Sequence, residues 1–235
     1  MNTEEGMGLQ PGDRVLVTGG SGGIGRALCE RLAAAGCRPV VGYCKNRNAA
    51  EAVAEATGGD IWSCDLADPE AIARSVKLLT AGPGPLAGLV LGASPAPLVA
   101  PFGQIEGDGL EMQFRVNVLG SFQLPQAVSG AFFKRLQRGI LVGILTSAMG
   151  DGDKPVATRN MGGYVVAKYG LAGVLAVARA ELPWLRVVSV APGFTETAML
   201  DGFGERFLEL MRRQLPEKRF GAPDQVAADI TARLF

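Results

Sequence analysis

The sequence predicts an α/β fold: one doubly wound parallel sheet of about six strands with helices on both faces. Two observations carry that expectation. Short β-branched runs alternate with longer helical stretches from end to end, and strands joined through helices pair in parallel by right-handed crossovers. No linker-like stretch or internal repeat interrupts the pattern, and 235 residues at 48% hydrophobic can bury one sizeable core.

The elements follow in order. "RVLVTG" (14–19) reads as a buried strand, and "GIGRALCERLAAAG" (23–36) as a helix stopped by Gly36. "RPVVGY" is a second strand and "NAAEAVAEATGG" a second helix ended by glycines. "DIWSCDL" is a third strand. "DPEAIARSVKLL" is a third helix with Asp68 as N-cap and Pro69 in its first turn. "LAGLVLGAS" is a fourth strand, followed by a long helical region over 106–137. "GILVGILTS" is a fifth strand, "GGYVVAKYG" (162–170) opens the next helix, "LRVVSVAP" is a sixth strand, and two helical stretches end the chain. The polar, acidic residues 1–12 have no apolar stretch of the signal-peptide kind and are expected to form a flexible tail ahead of a domain at 13–235.

Composition excludes several classes of function. The formal net charge is zero, so no basic field points to nucleic acid or an anionic membrane. The uncharged run 81–104 is broken by Pro83, Pro85, Pro95, Pro97 and Pro101, unlike a membrane helix. Histidine is absent, which removes the commonest general base and metal ligand. Cys29, Cys37, Cys44 and Cys64 form no C-x-x-C pair and read as free thiols, so no metal is expected. A cytoplasmic location fits these features.

Glycines 19, 23 and 25 stand between the first strand and first helix, in "TGGSGGIG" with Ser21 and Ile24. Without Cβ atoms the backbone there can turn tightly and approach a pyrophosphate, which the helix N-terminus then attracts. This is the dinucleotide-binding signature of a Rossmann fold. The second strand ends in Tyr43, Cys44, Lys45, Asn46 and Arg47, with no acid to accept from a ribose 2′-hydroxyl. Lys45 or Arg47 would pair with a 2′-phosphate, so NADP(H) is favoured over NAD(H), unless both are solvated loop charges. Asp65 is either an acceptor for the adenine amino group or a turn residue.

Tyr164 and Lys168 lie one helical turn apart on one face of an apolar helix. They are either side chains reaching from core to solvent or a proton-transfer pair. Tyr169, on another face, reads as a packing or interface aromatic.

Taken in order, "TGGSGGIG", "CDL", Asn117 in "RVNVLGSF", Ser147 followed by "YVVAK", and "APGFTET" resemble the short-chain dehydrogenase/reductase family from Arg14 to Phe235. Within it they look most like 3-oxoacyl-carrier-protein and acetoacetyl-CoA reductases. The resemblance implies an NAD(P)-dependent oxidoreductase that reduces a ketone or 3-oxoacyl thioester. The alternatives are an alcohol dehydrogenase, a tailoring ketoreductase and a weakly active nucleotide-binding subunit. Tyr164 would donate the proton, with its pKa lowered by Lys168 and the oxidised nicotinamide. Ser147 would orient the carbonyl, unless a register slip gives that role to the adjacent Thr146, and Asn117 would hold a water connecting Lys168 to solvent. Asp65, Leu66, Ala93, Pro192, Gly193, Thr195 and Thr197 would line the cofactor, with Lys45 at its 2′-phosphate.

Three departures stand out. Leu91, Gly92, Ala93 and Ser94 replace the family's Asn-Asn-Ala-Gly, whose asparagines bridge the sheet. The segment between Ser147 and Tyr164 is longer than in the reductases it resembles. The sequence ends at "DQVAADITARLF", where the family continues into a seventh strand, so an uncovered sheet edge is expected. A homodimer through the helices at 106–137 and 162–182 is expected, with a tetramer as the alternative. Lys134, Arg135 and Arg138 would either dock an acidic acyl carrier protein or complement a helix dipole.

Overall fold

The computed structural model describes residues 8–150, 154–215 and 217–235. Its sheet runs β1 (Arg14–Thr18), β2 (Arg38–Tyr43), β3 (Asp60–Ser63), β4 (Leu86–Leu91), β5 (Gly139–Ile144) and β6 (Leu185–Val190). In space the order is β3-β2-β1-β4-β5-β6, and every pairing is parallel. The expected doubly wound fold is therefore present, with six strands among the described residues. The strand order reverses between β1 and β4, and a crevice opens there at the carboxyl ends.

Alternating side chains of each strand feed two cores. Val15, Val17, Ile140 and Val142 meet one face, where α1 (Gly23–Ala34), α2 (Arg47–Thr57) and α9 (Pro223–Thr231) contribute Leu28, Val53 and Ile230. Leu16, Leu89 and Leu141 meet the other face. There α3 (Pro69–Thr80), α5 (Ser121–Val128) and α7 (Gly162–Glu181) contribute Ile72, Leu124 and Leu175. Burying each such leucine stabilises the fold by about 1.5–3 kcal/mol. Asp68 caps α3 as expected, accepting from Glu70 and Ala71 backbone N–H groups at 2.8 and 3.1 Å. A shorter helix, α8 (Glu205–Gln214), follows β6.

The long helical region is continuous but not uniform. It runs as α4 (Gly107–Phe114), a π-helical stretch Arg115–Gly120, α5, a second π stretch Ser129–Phe133 and α6 (Lys134–Leu136). The first widening occurs where the helix presses on the loop after β3. A Cβ at Gly120 would lie 2.2 Å from the Leu66 carbonyl oxygen. Wide turns of this kind commonly mark functional positions, and Asn117 sits within this one.

Residues 8–12 correct the expectation of a tail through residue 12. Leu9 is 3% exposed and packs in the first core beside Leu234. Its N–H donates to the Leu234 carbonyl at 2.7 Å, and Gly12 N–H donates to Gly36 O at 2.8 Å. Arg138 adds a clamp, reaching Asp13 at 2.5 Å and the Gly8 carbonyl at 3.0 Å. The polarity of the segment concealed its single anchoring leucine. Residues 1–7 lie outside the described residues.

Leu9→Ala should therefore destabilise the protein by about 2–5 kcal/mol, the range for a buried leucine. Urea denaturation would measure this, and a midpoint equal to wild type would show that the segment is only loosely attached.

Candidate active site

The crevice begins at the glycine turn. Gly20 and Gly22 N–H groups donate to Val17 and Gly19 carbonyls at 3.1 and 3.0 Å, folding the chain into the start of α1. A Cβ at Gly25 would lie 2.2 Å from the Gly19 oxygen, so only glycine allows the turn to close on the helix. No side chain caps α1 and no acid stands in its first turn. Its leading N–H groups are therefore free to meet an anion. Ser21 is half-buried and Ile24 faces the cleft. The cradle suits a dinucleotide pyrophosphate.

Opposite the turn, the replaced asparagines have substitutes. Thr18, the last residue of β1, donates its hydroxyl to the Val90 carbonyl at 3.0 Å and accepts from Gly92 and Ala93 N–H at 3.0 and 3.1 Å. Ser94 accepts from Asn117 Nδ2 at 3.1 Å. The same Asn117 nitrogen reaches the Gln113 carbonyl and side-chain oxygens at 3.2 and 3.0 Å, while Gln113 donates to Ala96 O at 2.7 Å. Thr18, Ser94 and Gln113 thus support the β4 end, and sequence reasoning singled out none of the three for this. Asn117 Oδ1 is buried with no hydrogen-bond partner. It is a buried acceptor that faces no protein donor among the described residues.

On the far side of the crevice, α7 presents Tyr164 and Lys168. The Lys168 ammonium is 5.6 Å from the Tyr164 ring centroid. It donates to the Ile144 carbonyl at 2.8 Å, and the side chain is 2% exposed. Burial alone pulls Lys168 down from 10.5 to about 7. Burial pushes the Tyr164 phenol up to about 12, opposed by the Thr146 hydroxyl. The lowering implied for this phenol includes the charge of an oxidised nicotinamide, which would act with the cofactor bound.

Thr146 is buried and caps the turn Ser147–Met149 by accepting from Ala148 N–H at 3.2 Å. Ser147, one residue on, is exposed at the cleft, near Gly193, and its N–H donates to the Pro192 carbonyl at 2.9 Å. Both hydroxyl residues line the cleft, and Thr146 is the one whose hydroxyl opposes the rise of the Tyr164 pKa.

One cleft, enclosing about 130 Å³, joins the glycine turn to these groups. Ile24, Gly25, Pro192, Gly193, Thr195 and Thr197 line its side next to the glycine turn. Thr197 lies over Gly23, and Thr195 donates to the Gly193 carbonyl at 3.0 Å. Pro97, Ala148, Met161, Phe194, Leu200 and Phe203 line the other side. Phe194 stacks in an aromatic group, 5.8 Å from Phe203 and 5.5 Å from Phe220 between ring centres. Individually these apolar residues look like core, and only the fold gathers them into a wall.

The adenosine side is more open. Lys45 is exposed at the end of β2, whereas Arg47 is held by Glu51 at 2.8 Å on α2. Asp65 accepts from Ala67 N–H at 2.9 Å, the turn role left open by its sequence. Leu66 is buried in the second core, so its side chain does not face the cleft. In the basic cluster, Arg138 is engaged with Asp13, and Lys134 and Arg135 precede the amino end of β5. Thr146 and Ser147 follow its carboxyl end, about 20 Å away along a strand of this length. Among the described residues no group of side chains could hold a metal ion, and no helix is long and apolar enough to cross a membrane.

A family model described as short chain dehydrogenase matches residues 13–206. The chain belongs to the short chain dehydrogenase family. It is an oxidoreductase acting on CH–OH and C=O groups. Among curated relatives, the 3-oxoacyl-(acyl-carrier-protein) reductase of Escherichia coli is 30% identical over 92% of this chain and 87% of that one. The 2,5-dichloro-2,5-cyclohexadiene-1,4-diol dehydrogenase of Sphingobium indicum is 32% identical over 80% and 75%. A solved short-chain dehydrogenase/reductase from Serratia marcescens superposes with a TM-score of 0.82 at 26% identity, covering 95% of this chain and 91% of that one.

The buried lysine gives stability a pH dependence. Below pH 7 the folded ammonium is charged and bears its full desolvation cost. Toward pH 10.5 the folded lysine is neutral while the unfolded one still binds a proton, so stability rises through this interval. The melting temperature of wild type relative to Lys168→Met should therefore climb between pH 7 and about 9. Parallel melting curves for the two proteins would show that the lysine is not desolvated.

Proposed function

We propose that this short chain dehydrogenase reduces a ketone, a 3-oxoacyl thioester or a related carbonyl, to the alcohol with NADPH. The observation that carries the reading is one cleft in which the glycine turn, a phenol and two hydroxyl residues converge. When bound, the nicotinamide supplies the hydride. The chain's residues do the rest. The hydroxyls of Thr146 and Ser147 orient the carbonyl oxygen beside the Tyr164 phenol, and that phenol gives its proton to the forming alkoxide. A proton donor must hold its proton until charge develops, and a phenol kept neutral by burial does so. The Lys168 ammonium then returns a proton to the phenolate, and a water held by Asn117 would resupply Lys168 from solvent. The wall formed by Met161, Phe194, Leu200 and Phe203 favours an apolar substituent on the ketone.

The cofactor preference rests on Lys45, the cation at the end of β2 that no carboxylate engages among the described residues. The names of the carrier-protein reductases favour a thioester substrate, but the cluster at Lys134, Arg135 and Arg138 stands at the wrong end of β5 to deliver one. A homodimer is supported by the exposed Met112, Leu119 and Phe122 on α4–α5 and Val166 and Val177 on α7. A cytoplasmic setting agrees with four free cysteines.

Purified protein should consume NADPH in the presence of acetoacetyl thioesters. Tyr164→Phe should lower kcat by about 10²–10⁴-fold, the usual contribution of general acid catalysis, and Thr146→Val should cost more than Ser147→Ala. Turnover that survives Tyr164→Phe would remove this mechanism. Lys45→Glu should raise the KM for NADPH by about tenfold or more while leaving that for NADH nearly unchanged, since a charge-assisted contact to phosphate contributes roughly 1.5–3 kcal/mol. Equal changes for both nucleotides would place the 2′-phosphate elsewhere.

A further inference from the structure

Tyr169 follows Lys168 on α7, and its ring packs against the small core around Met149, Met161 and Tyr164, the packing role its sequence suggested. Its phenol oxygen lies 2.6 Å from the Met149 carbonyl, to which it donates, and accepts from the Val156 N–H at 2.9 Å. The Val156 carbonyl, at 3.1 Å, is a second site for the same proton. One hydroxyl thus ties the catalytic helix to both arms of the segment between β5 and α7. Thr158 reinforces the closure by donating its N–H to the Ala148 carbonyl at 2.9 Å. The outgoing arm carries Ser147 and Ala148 and the returning arm carries Thr158 and Met161, all four lining the cleft, whereas Tyr169 does not touch it.

We propose that Tyr169 is a positioning residue for substrate selection: through its hydroxyl it fixes the two arms that wall the substituent side of the cleft. The assignment rests on the reading of the cleft as a ketone site. Ala148 and Met149 anchor the outgoing arm, and Met161 the end of the returning arm, in a small core shared with Tyr164. Val156, between these anchors, is 51% exposed, so its place is set by the hydrogen bonds to the Tyr169 hydroxyl. Ala148 and Met161 are apolar, so the part of the substrate they meet is the chain beyond the carbonyl. A ketone with a short substituent needs little from this wall, whereas a longer one must pack along it. The proton donor and its lysine are held independently, through α7 and the Ile144 carbonyl.

Tyr169→Phe keeps the ring and deletes only the shared hydroxyl. With 3-oxooctanoyl thioester as substrate, KM should rise about tenfold, given roughly 0.5–1.5 kcal/mol for each hydrogen bond lost. With acetoacetyl thioester KM should change less than about twofold, and kcat and NADPH affinity should hold for both. Hydrogen exchange read by NMR should quicken at the Val156 amide and not at Leu141 in the core. An equal rise in KM for both thioesters, or unchanged exchange at Val156, would overturn the assignment. Should the wild-type protein reduce no ketone at all, the proposed function falls, and Val156 exchange alone then decides whether the hydroxyl holds the arms.

Discussion

A single hydroxyl levels the floor of the site. The reversal of strand order leaves β1 and β4 side by side with their continuations departing to opposite faces, and nothing in the ladder holds the two ends together beyond Leu91. Thr18 Oγ1 does so, with one bond given and two received across β1 and β4. From that bridge the chain goes one way into the glycine turn and the other way into Ser94, which meets Asn117. The glycine turn and the polar network between β4 and Asn117 therefore share one point of support. Threonine suits the position because it keeps a strand-forming, β-branched stem while presenting an oxygen that can donate and accept at once.

Much of this architecture could be read from the sequence, for a physical reason. Strand–helix alternation, the glycines at the first junction, and Asp68 and Pro69 at the start of α3 are local signals, and local signals survive in one dimension. Tyr164 and Lys168 were visible because a helix converts fixed spacing into a shared face. Other features were hidden because they depend on distant partners. Gln113 looks like a surface residue of an amphipathic helix, yet it is 1% exposed and joined to Ala96 and Asn117. Thr146 and Ser147 are neighbours in sequence, and only the way the strand runs into its capping turn decides which hydroxyl opposes the rise of the Tyr164 pKa. Leu9 is one apolar residue among polar ones, and the opposite terminus supplies its pocket. Arg138 resembled a free basic patch until Asp13 was brought beside it.

The pKa pattern likewise needs the third dimension. Proximity of a phenol and an ammonium suggests mutual stabilisation of their charged forms, and in water that would hold. In a dry pocket the charged form of each is penalised, so both move toward neutrality, the phenol upward and the amine downward. The phenol thus keeps its proton while the amine gives up its own more readily than in water.

Helix α7 spans twenty residues and carries the phenol and the amine one turn apart. Its phase is the ruler of the reaction: removing one residue between them would swing Lys168 by roughly 100° around the axis. The segment preceding the helix imposes no such ruler. A residue added or lost between Met149 and Val156 would leave the pitch that spaces the pair unchanged, so the wall of the cleft and the spacing of Tyr164 from Lys168 are set by separate parts of the chain.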